Sequence, residues 1–201
     1  MKQIIGIIDY GYTGNIFNIK KAIEAIDKNV SSILVKTGPE LKKADKIILP
    51  GVGSYIDAMK GISKIEEVIK ETAMKKPTLG ICLGMQILSE KGYEFGETKG
   101  LGLIEGEVMR LAVKYRVPHL GWACLDTIKK SKILKGITQE DNFYFMHSYE
   151  LYNFKDVVSL SQYEEHKFVS SIEKDYIFGV QFHPEKSRLS GLKIFKNFFK
   201  L

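Results

Sequence analysis

The 201-residue sequence predicts an α/β fold with a mixed sheet, its first half reading as parallel strands with crossover helices and its second as short β-type runs. Three patterns predict it. Ile4–Asp9 is a continuous apolar run closed by Tyr10-Gly11, as expected of a strand buried on both faces. Strand and helix signals then alternate as far as Cys82, the order that parallel strands with crossover helices produce. From Glu107 onward the runs are short, β-type and separated by turns.

The elements follow in order. Ile16–Ile26 reads as a helix, with Asn15 as its cap and Ile16, Ile19, Ile23 and Ile26 along one face. Ser32–Val35 and Lys46–Leu49 have strand character. Ser63–Met74 places Ile65, Val68, Ile69 and Ala73 at helical spacing, and Thr78–Ile81 is a short strand running into Cys82. Later, Glu107–Leu111, Cys124–Ile128, Asn142–Met146, Val157–Leu160, Phe168–Ile172 and Ile177–Phe182 read as strands. Ser190–Phe199 closes as a helix with Leu192, Ile194, Phe195, Phe198 and Phe199 on its apolar side. No repeat, low-complexity tract or linker divides the chain, so residues 1–201 read as one domain.

Composition narrows the class. Hydrophobic residues at 44% and charged residues at 27% are those of a soluble globular protein. The net charge of +6 raises nucleic acid as a partner, but the lysines are scattered, so a solvated surface is the reading, with part of the charge free to face an acidic partner. Two cysteines, Cys82 and Cys124, make no disulfide framework and point to a reducing compartment. The opening apolar run is too short to span a membrane and lacks a cleavage signature, so a cytoplasmic location without membrane contact is expected.

Gly80-Ile81-Cys82-Leu83-Gly84 has the Gly-x-nucleophile-x-Gly spacing of a strand-to-helix elbow. On so sharp a turn, side chains two residues to either side would collide, hence the glycines. A helix starting near Leu83 would point free N–H groups at the sulfur and favour the thiolate, and the Leu83 N–H would face an oxyanion. Taken alone, the pattern also fits a buried structural thiol at an ordinary turn. Cys124 lacks such punctuation and is expected in the core.

A cysteine nucleophile needs a base, and the chain offers His119, His147, His166 and His183. His183 ends the Ile177–Phe182 run, at a strand end where α/β sites are built, and Pro184 stops the strand from continuing. Glu185 can fold back to the second imidazole nitrogen, completing a Cys-His-Glu triad. His166, between charged residues, is expected at the surface. His119 and His147 fit either core histidines or groups supporting the site. The loop Pro50-Gly51-Val52-Gly53-Ser54 follows a strand and lacks the Gly-Lys-Ser/Thr ending of a phosphate loop. It is assigned as the second oxyanion donor, through Val52 and Gly53, although a plain turn would show the same glycines.

These stretches, with Asp9-Tyr10-Gly11, Pro118-His119-Leu120-Gly121-Trp122, Phe143 through Tyr149 and Gln181 through Ser187, resemble the class I, triad-type glutamine amidotransferases in order and separation. Within that family they are most similar to the glutaminase subunits of imidazole glycerol phosphate synthase; Met85 and the Pro118–Trp122 block favour this branch. The resemblance covers nearly the whole chain. It implies a flavodoxin-like domain, with helices on both faces of a largely parallel central sheet and extra antiparallel strands in the C-terminal half. It also implies that Cys82 attacks the side-chain amide of L-glutamine to form a thioester, His183 protonates the departing ammonia and then activates water, and Glu185 orients His183. Gly51, Gln86, Ser148 and Tyr149 would contact glutamine, with Glu94 a further pocket candidate. No metal or organic cofactor is implied. The partner would be a barrel-shaped cyclase subunit in a heterodimer, which uses the ammonia to form imidazole glycerol phosphate and an aminoimidazole carboxamide ribonucleotide.

Two stretches depart from the family pattern. Tyr10–Asn15 is one residue longer between its glycines, and Ala123 follows Trp122 where asparagine is usual. They leave open a divergent copy that feeds another synthase, such as one amidinating a surface sugar. A non-catalytic binding subunit and a cysteine peptidase are readings of other kinds, and the intact triad speaks against the former.

Overall fold

The computed structural model describes residues 2–11, 15–152 and 154–201, so part of the Tyr10–Asn15 stretch lies outside the described residues. In the first half, β1 (Gln3–Ile8), β2 (Val30–Val35), β3 (Lys46–Leu49) and β4 (Thr78–Ile81) alternate with α1 (Ile16–Ile26), α2 (Gly38–Lys43), α3 (Tyr55–Ile62) and α4 (Glu66–Ala73). A single turn, α5 (Leu83–Gln86), follows β4. The short strands β5 (Lys91–Gly92), β6 (Thr98–Lys99), β7 (Glu107–Arg110), β8 (His119–Ala123) and β9 (Asp126–Thr127) come next. Then β10 (Phe143–His147), β11 (Tyr149–Tyr152), β12 (Val157–Tyr163), β13 (His166–Lys174) and β14 (Ile177–Val180) precede the closing helix α6 (Arg188–Phe199).

The main sheet has eight strands in the order β2-β1-β3-β4-β14-β13-β12-β9. Its first five strands are parallel and its last three antiparallel. The parallel part has the doubly wound, flavodoxin-like order, in which ligand sites form at the carboxyl ends of the strands. Alternation along each strand feeds two cores: Ile47 and Leu49 face one, Ile48 the other. One face is covered by α1, through Ile16, Ile19 and Ile23, and by α6, through Ile194, Phe195 and Phe198. On the opposite face Ala58, Met59 and Ile62 of α3 pack with Ile69 and Ala73 of α4. Two smaller sheets, β10-β8 and β11-β7-β5-β6, are built from strands that follow α5.

Several expectations need correction. The helix expected over Ser63–Met74 starts only at Glu66, and α3 and α2 are additional. Both additional helices have local causes: Thr37 and Glu40 form a capping box, and the Ser54 hydroxyl accepts the Asp57 N–H at 3.3 Å. Cys124 is exposed, not core. The β8–β10 ladder ends at Ala123 opposite Phe143, and Leu125 takes the inward position, which turns Cys124 to the surface. In place of the strand expected over Cys124–Ile128, only Asp126–Thr127 pairs, against β12.

Candidate active site

Cys82, His183 and the Gly51–Gly53 loop all emerge from carboxyl ends of adjacent parallel strands: β4, β14 and β3. Cys82 has φ 49° and ψ −107°, a strained backbone for an L residue. The elbow closes because a Cβ on Gly80 would lie 2.6 Å from the Gly84 carbonyl carbon, and one on Gly84 would overlap the Leu49 carbonyl. The Cys82 N–H donates to the Val180 carbonyl at 2.7 Å, tying the turn after β4 to the strand that leads to His183. Because α5 is one turn long, its dipole is small, and the field of a full helix, expected to favour the thiolate, is largely missing.

His183 is fully buried, and its Nδ1 meets Glu185 Oε1 at 2.7 Å, so Nδ1 carries the proton. Its other nitrogen, Nε2, is buried without a hydrogen-bond partner among the described residues. Burial works against the imidazolium, but the charge of the nearby Cys82 sulfur, with Glu185 behind, raises His183 to about 10. The loop is fixed from below: the His183 N–H donates to the Tyr144 carbonyl at 2.8 Å, and the Ser187 hydroxyl donates to the His183 carbonyl at 2.6 Å. Asn15, expected as a helix cap, makes no capping bond. Its side-chain amide donates to Glu185 Oε1 at 2.6 Å instead and lies 3.5 Å from His183 Nδ1.

A cavity of about 300 Å³ opens beside Cys82, and Gly51, Val52, Gly53, Leu83, Gln86, Glu94, Ser148 and Tyr149 all line it with Pro118, Met146 and His147. That is the small end of ordinary ligand sites. Gly51 must be glycine, since a Cβ there would lie 2.8 Å from Cys82 Cβ and 2.5 Å from the Ile81 carbonyl oxygen. Among the described residues the N–H groups of Val52 and Leu83 have no backbone acceptor. Gln86 donates through Nε2 to the Tyr149 carbonyl at 2.9 Å and to Gln181 Oε1 at 3.1 Å, which leaves only its carbonyl oxygen for a ligand. Part of the Glu94 carboxylate is committed: its Oε2 accepts the Tyr55 N–H at 2.7 Å.

The other histidines are accounted for. His147 Nδ1 faces the Tyr149 carbonyl at 2.9 Å and must donate, so its Nε2 accepts from His119 Nδ1 at 3.2 Å. Burial depresses both, His119 to about 4 and His147 to about 3, so neither serves as a base at neutral pH. His119 also stacks on Tyr163, with ring centroids 4.3 Å apart. His166 is half-buried rather than exposed, with Nε2 2.7 Å from Glu150 Oε1. Among the described residues no group of His, Cys, Asp or Glu side chains has the arrangement of a metal site. Two polar residues that local pattern did not mark belong to the site, Asn15 against Glu185 and Gln181, whose Nε2 donates to Cys82 Sγ at 3.4 Å.

Residues 6–201 match the family described as glutamine amidotransferase class-I. The chain is 44% identical to the imidazole glycerol phosphate synthase subunit HisH 1 of Campylobacter jejuni strain RM1221, over 98% of this chain and 100% of that one. It is also 44% identical to the HisH subunit of Aquifex aeolicus, over 96% of this chain and 94% of its relative. Among solved structures, PurLQS from Thermotoga maritima shares the fold with a TM-score of 0.76 at 19% identity, covering 100% of this chain and 99% of that one. A glutamine amidotransferase from Thermotoga maritima does so at 0.62 and 15%, with coverage of 100% and 85%. With the elbow, the buried His-Glu pair and the lined cavity in place, the chain belongs to the class-I glutamine amidotransferase family and, within it, to the HisH family.

Proposed function

We propose that residues 1–201 act as one glutaminase unit, the glutaminase subunit of an imidazole glycerol phosphate synthase, hydrolysing L-glutamine to glutamate and ammonia for a cyclase subunit. The observation that carries the chemistry is His183, buried and oriented by Glu185, with a free Nε2 and a strong electrostatic response to the Cys82 sulfur. In this reading the Cys82 thiolate attacks the carboxamide carbon of glutamine. The oxyanion that forms faces the N–H groups of Leu83 and of Val52 or Gly53. His183 passes its proton to the departing nitrogen, leaving a thioester, and then takes one from the water that hydrolyses it. Gln86, through its free carbonyl oxygen, accepts from the substrate amide, and Gly51, Glu94, Ser148 and Tyr149 complete the pocket.

The partner is supported by the surface beside the triad. Trp122 and Leu189 are 45% and 77% exposed, next to the loop that carries His183 and Glu185. The Arg188 guanidinium stacks on Trp122 at 5.1 Å and the Lys186 ammonium lies 5.8 Å from the Tyr144 ring, giving an apolar patch rimmed with cations that suits a protein surface carrying acidic groups. No described helix is long and apolar enough to cross a membrane.

The test is a glutaminase assay with and without the cyclase and its ligand. Turnover is expected to be weak alone and to rise strongly with the partner, and Cys82→Ala is expected to abolish it while synthesis from free ammonia continues. Ammonia release by Cys82→Ala would overturn the mechanism. Stimulation by a sugar-amidinating synthase and not by the cyclase would replace the partner.

A further inference from the structure

We infer that Gln181 is a catalytic residue of this chain, whose side-chain amide donates to the Cys82 sulfur and stabilises it as the attacking thiolate. The inference rests on Cys82 being the nucleophile. Gln181 is fully buried at the end of β14, with Nε2 3.4 Å from Cys82 Sγ.

The direction of that hydrogen bond follows from the chemistry of its neighbours. A side-chain amide placed the other way round would turn its carbonyl oxygen to the sulfur and disfavour negative charge there. The Tyr149 backbone carbonyl settles the orientation, because a carbonyl only accepts. The Gln86 atom 2.9 Å from it is therefore the nitrogen. The second hydrogen of that nitrogen meets Gln181 at 3.1 Å, so the Gln181 atom there is the oxygen. Gln181 is left with its nitrogen towards Cys82. The polarity thus runs from one carbonyl through two buried amides to the reacting atom.

The sulfur needs such a donor. The helix after it is a single turn, too short for a sizeable dipole. Its other hydrogen-bond contact among the described residues, the Met146 carbonyl at 3.7 Å, can only accept, and so favours the neutral thiol. On ionisation the thiol proton passes to His183 Nε2, the Met146 contact is lost and the Gln181 contact strengthens, with Gln181 keeping both its hydrogens. The titratable groups around the sulfur are His183, backed by Glu185, and His147, Glu94 and Tyr149 in the cavity wall.

The test uses the full chain and the variant Gln181→Met, which keeps the side-chain length and removes the donor. Alkylation by iodoacetamide is followed against pH, with peptide mapping to separate Cys82 from the exposed Cys124. The Cys82 midpoint is expected to rise by about one pH unit in Gln181→Met. Partner-stimulated kcat is expected to fall about tenfold, with KM little changed. An unchanged midpoint and kcat, with Cys82 still labelled, would overturn the role of Gln181 and leave the nucleophile intact. Failure of Cys82 to label in the unaltered protein would overturn the nucleophile itself. Should Gln181→Met not fold, the side-chain amide resonance of Gln181 in the unaltered protein gives the second measurement. It is expected to titrate with Cys82 and to lose that titration in Cys82→Ala; a resonance indifferent to pH in both would overturn the inference.

Discussion

Asn15 donates a 2.6 Å hydrogen bond to Glu185 Oε1, the same oxygen that His183 Nδ1 meets at 2.7 Å. Asn15, directly before α1, therefore holds the carboxylate that meets His183. Hydrogen bonds to charged groups contribute ~1.5–3 kcal/mol, so Asn15→Ala is expected to lower kcat roughly tenfold to a hundredfold. KM should stay within about twofold, because Asn15 does not line the cavity beside Cys82. Asn15→Asp, which sets a second carboxylate against Glu185, should be worse than alanine. Steady-state kinetics with the partner present would check both, and an unimpaired kcat in Asn15→Ala would remove Asn15 from the site.

The paired histidines behind the pocket make stability depend on pH in a definite direction. An unfolded histidine gains its proton near 6.5, whereas folded His119 and His147 stay neutral down to about 4 and about 3. Below pH 6.5 the unfolded chain thus binds more protons, and stability falls as the pH is lowered, by up to ~1.4 kcal/mol per unit for each ring. His147, enclosed on all sides, should carry the larger share. His183 acts in the opposite sense, gaining stability as pH falls from about 10 towards 6.5, and adds nothing further below that. Burial of Glu150 also opposes the trend, so the comparison that isolates the ring is with His147→Gln. Urea unfolding at pH 6.5 and 5.5 should show a smaller loss in that variant; equal losses would contradict the neutral, buried assignment.

Gly51 is held by sterics, not by its backbone angles. Gly51→Ala would drive a methyl group against Cys82 Cβ and the Ile81 carbonyl, each closer than 3 Å. Such overpacking costs about 1–3 kcal/mol. The loop is expected to move away from the sulfur, so kcat should fall more steeply than thermal stability. Wild-type turnover in Gly51→Ala would mean that the loop is not poised over the nucleophile.

Much of this was legible in the sequence because the relevant signals are local. The buried parallel strands are continuous apolar runs, the elbow is a five-residue pattern, and His183-Pro184-Glu185 contains both members of the buried His-Glu pair. The two short helices were also legible, in Thr37-x-x-Glu40 and Ser54-x-x-Asp57, but their lengths of six and eight residues leave little apolar periodicity to notice. The β8–β10 ladder was not, since β8 includes Gly121 and an exposed Trp122 and becomes a strand only by pairing with Phe143–His147. Asn15 looked like a cap because asparagine before a helix usually is one; its real partner lies 170 positions away. Gln181 sat at the end of an apolar run that reads as a strand, and only the turn of the chain after Val180 aims it at the sulfur.

The strain at Cys82 can be measured without its chemistry. With φ at 49° and ψ at −107°, the residue occupies a region that costs a non-glycine residue about 1–3 kcal/mol. Cys82→Ala and Cys82→Gly both remove the sulfur and its effect on His183, so they differ mainly in the backbone. Glycine loses about 0.5–1 kcal/mol more conformational entropy on folding than alanine does, which partly offsets the relief of strain. Cys82→Gly is therefore expected to be the more stable of the two inactive variants by about 1 kcal/mol, read from urea unfolding at one pH. An alanine variant as stable as the glycine one would mean that the elbow stores no appreciable strain, and that its sharp geometry serves only to expose the nucleophile.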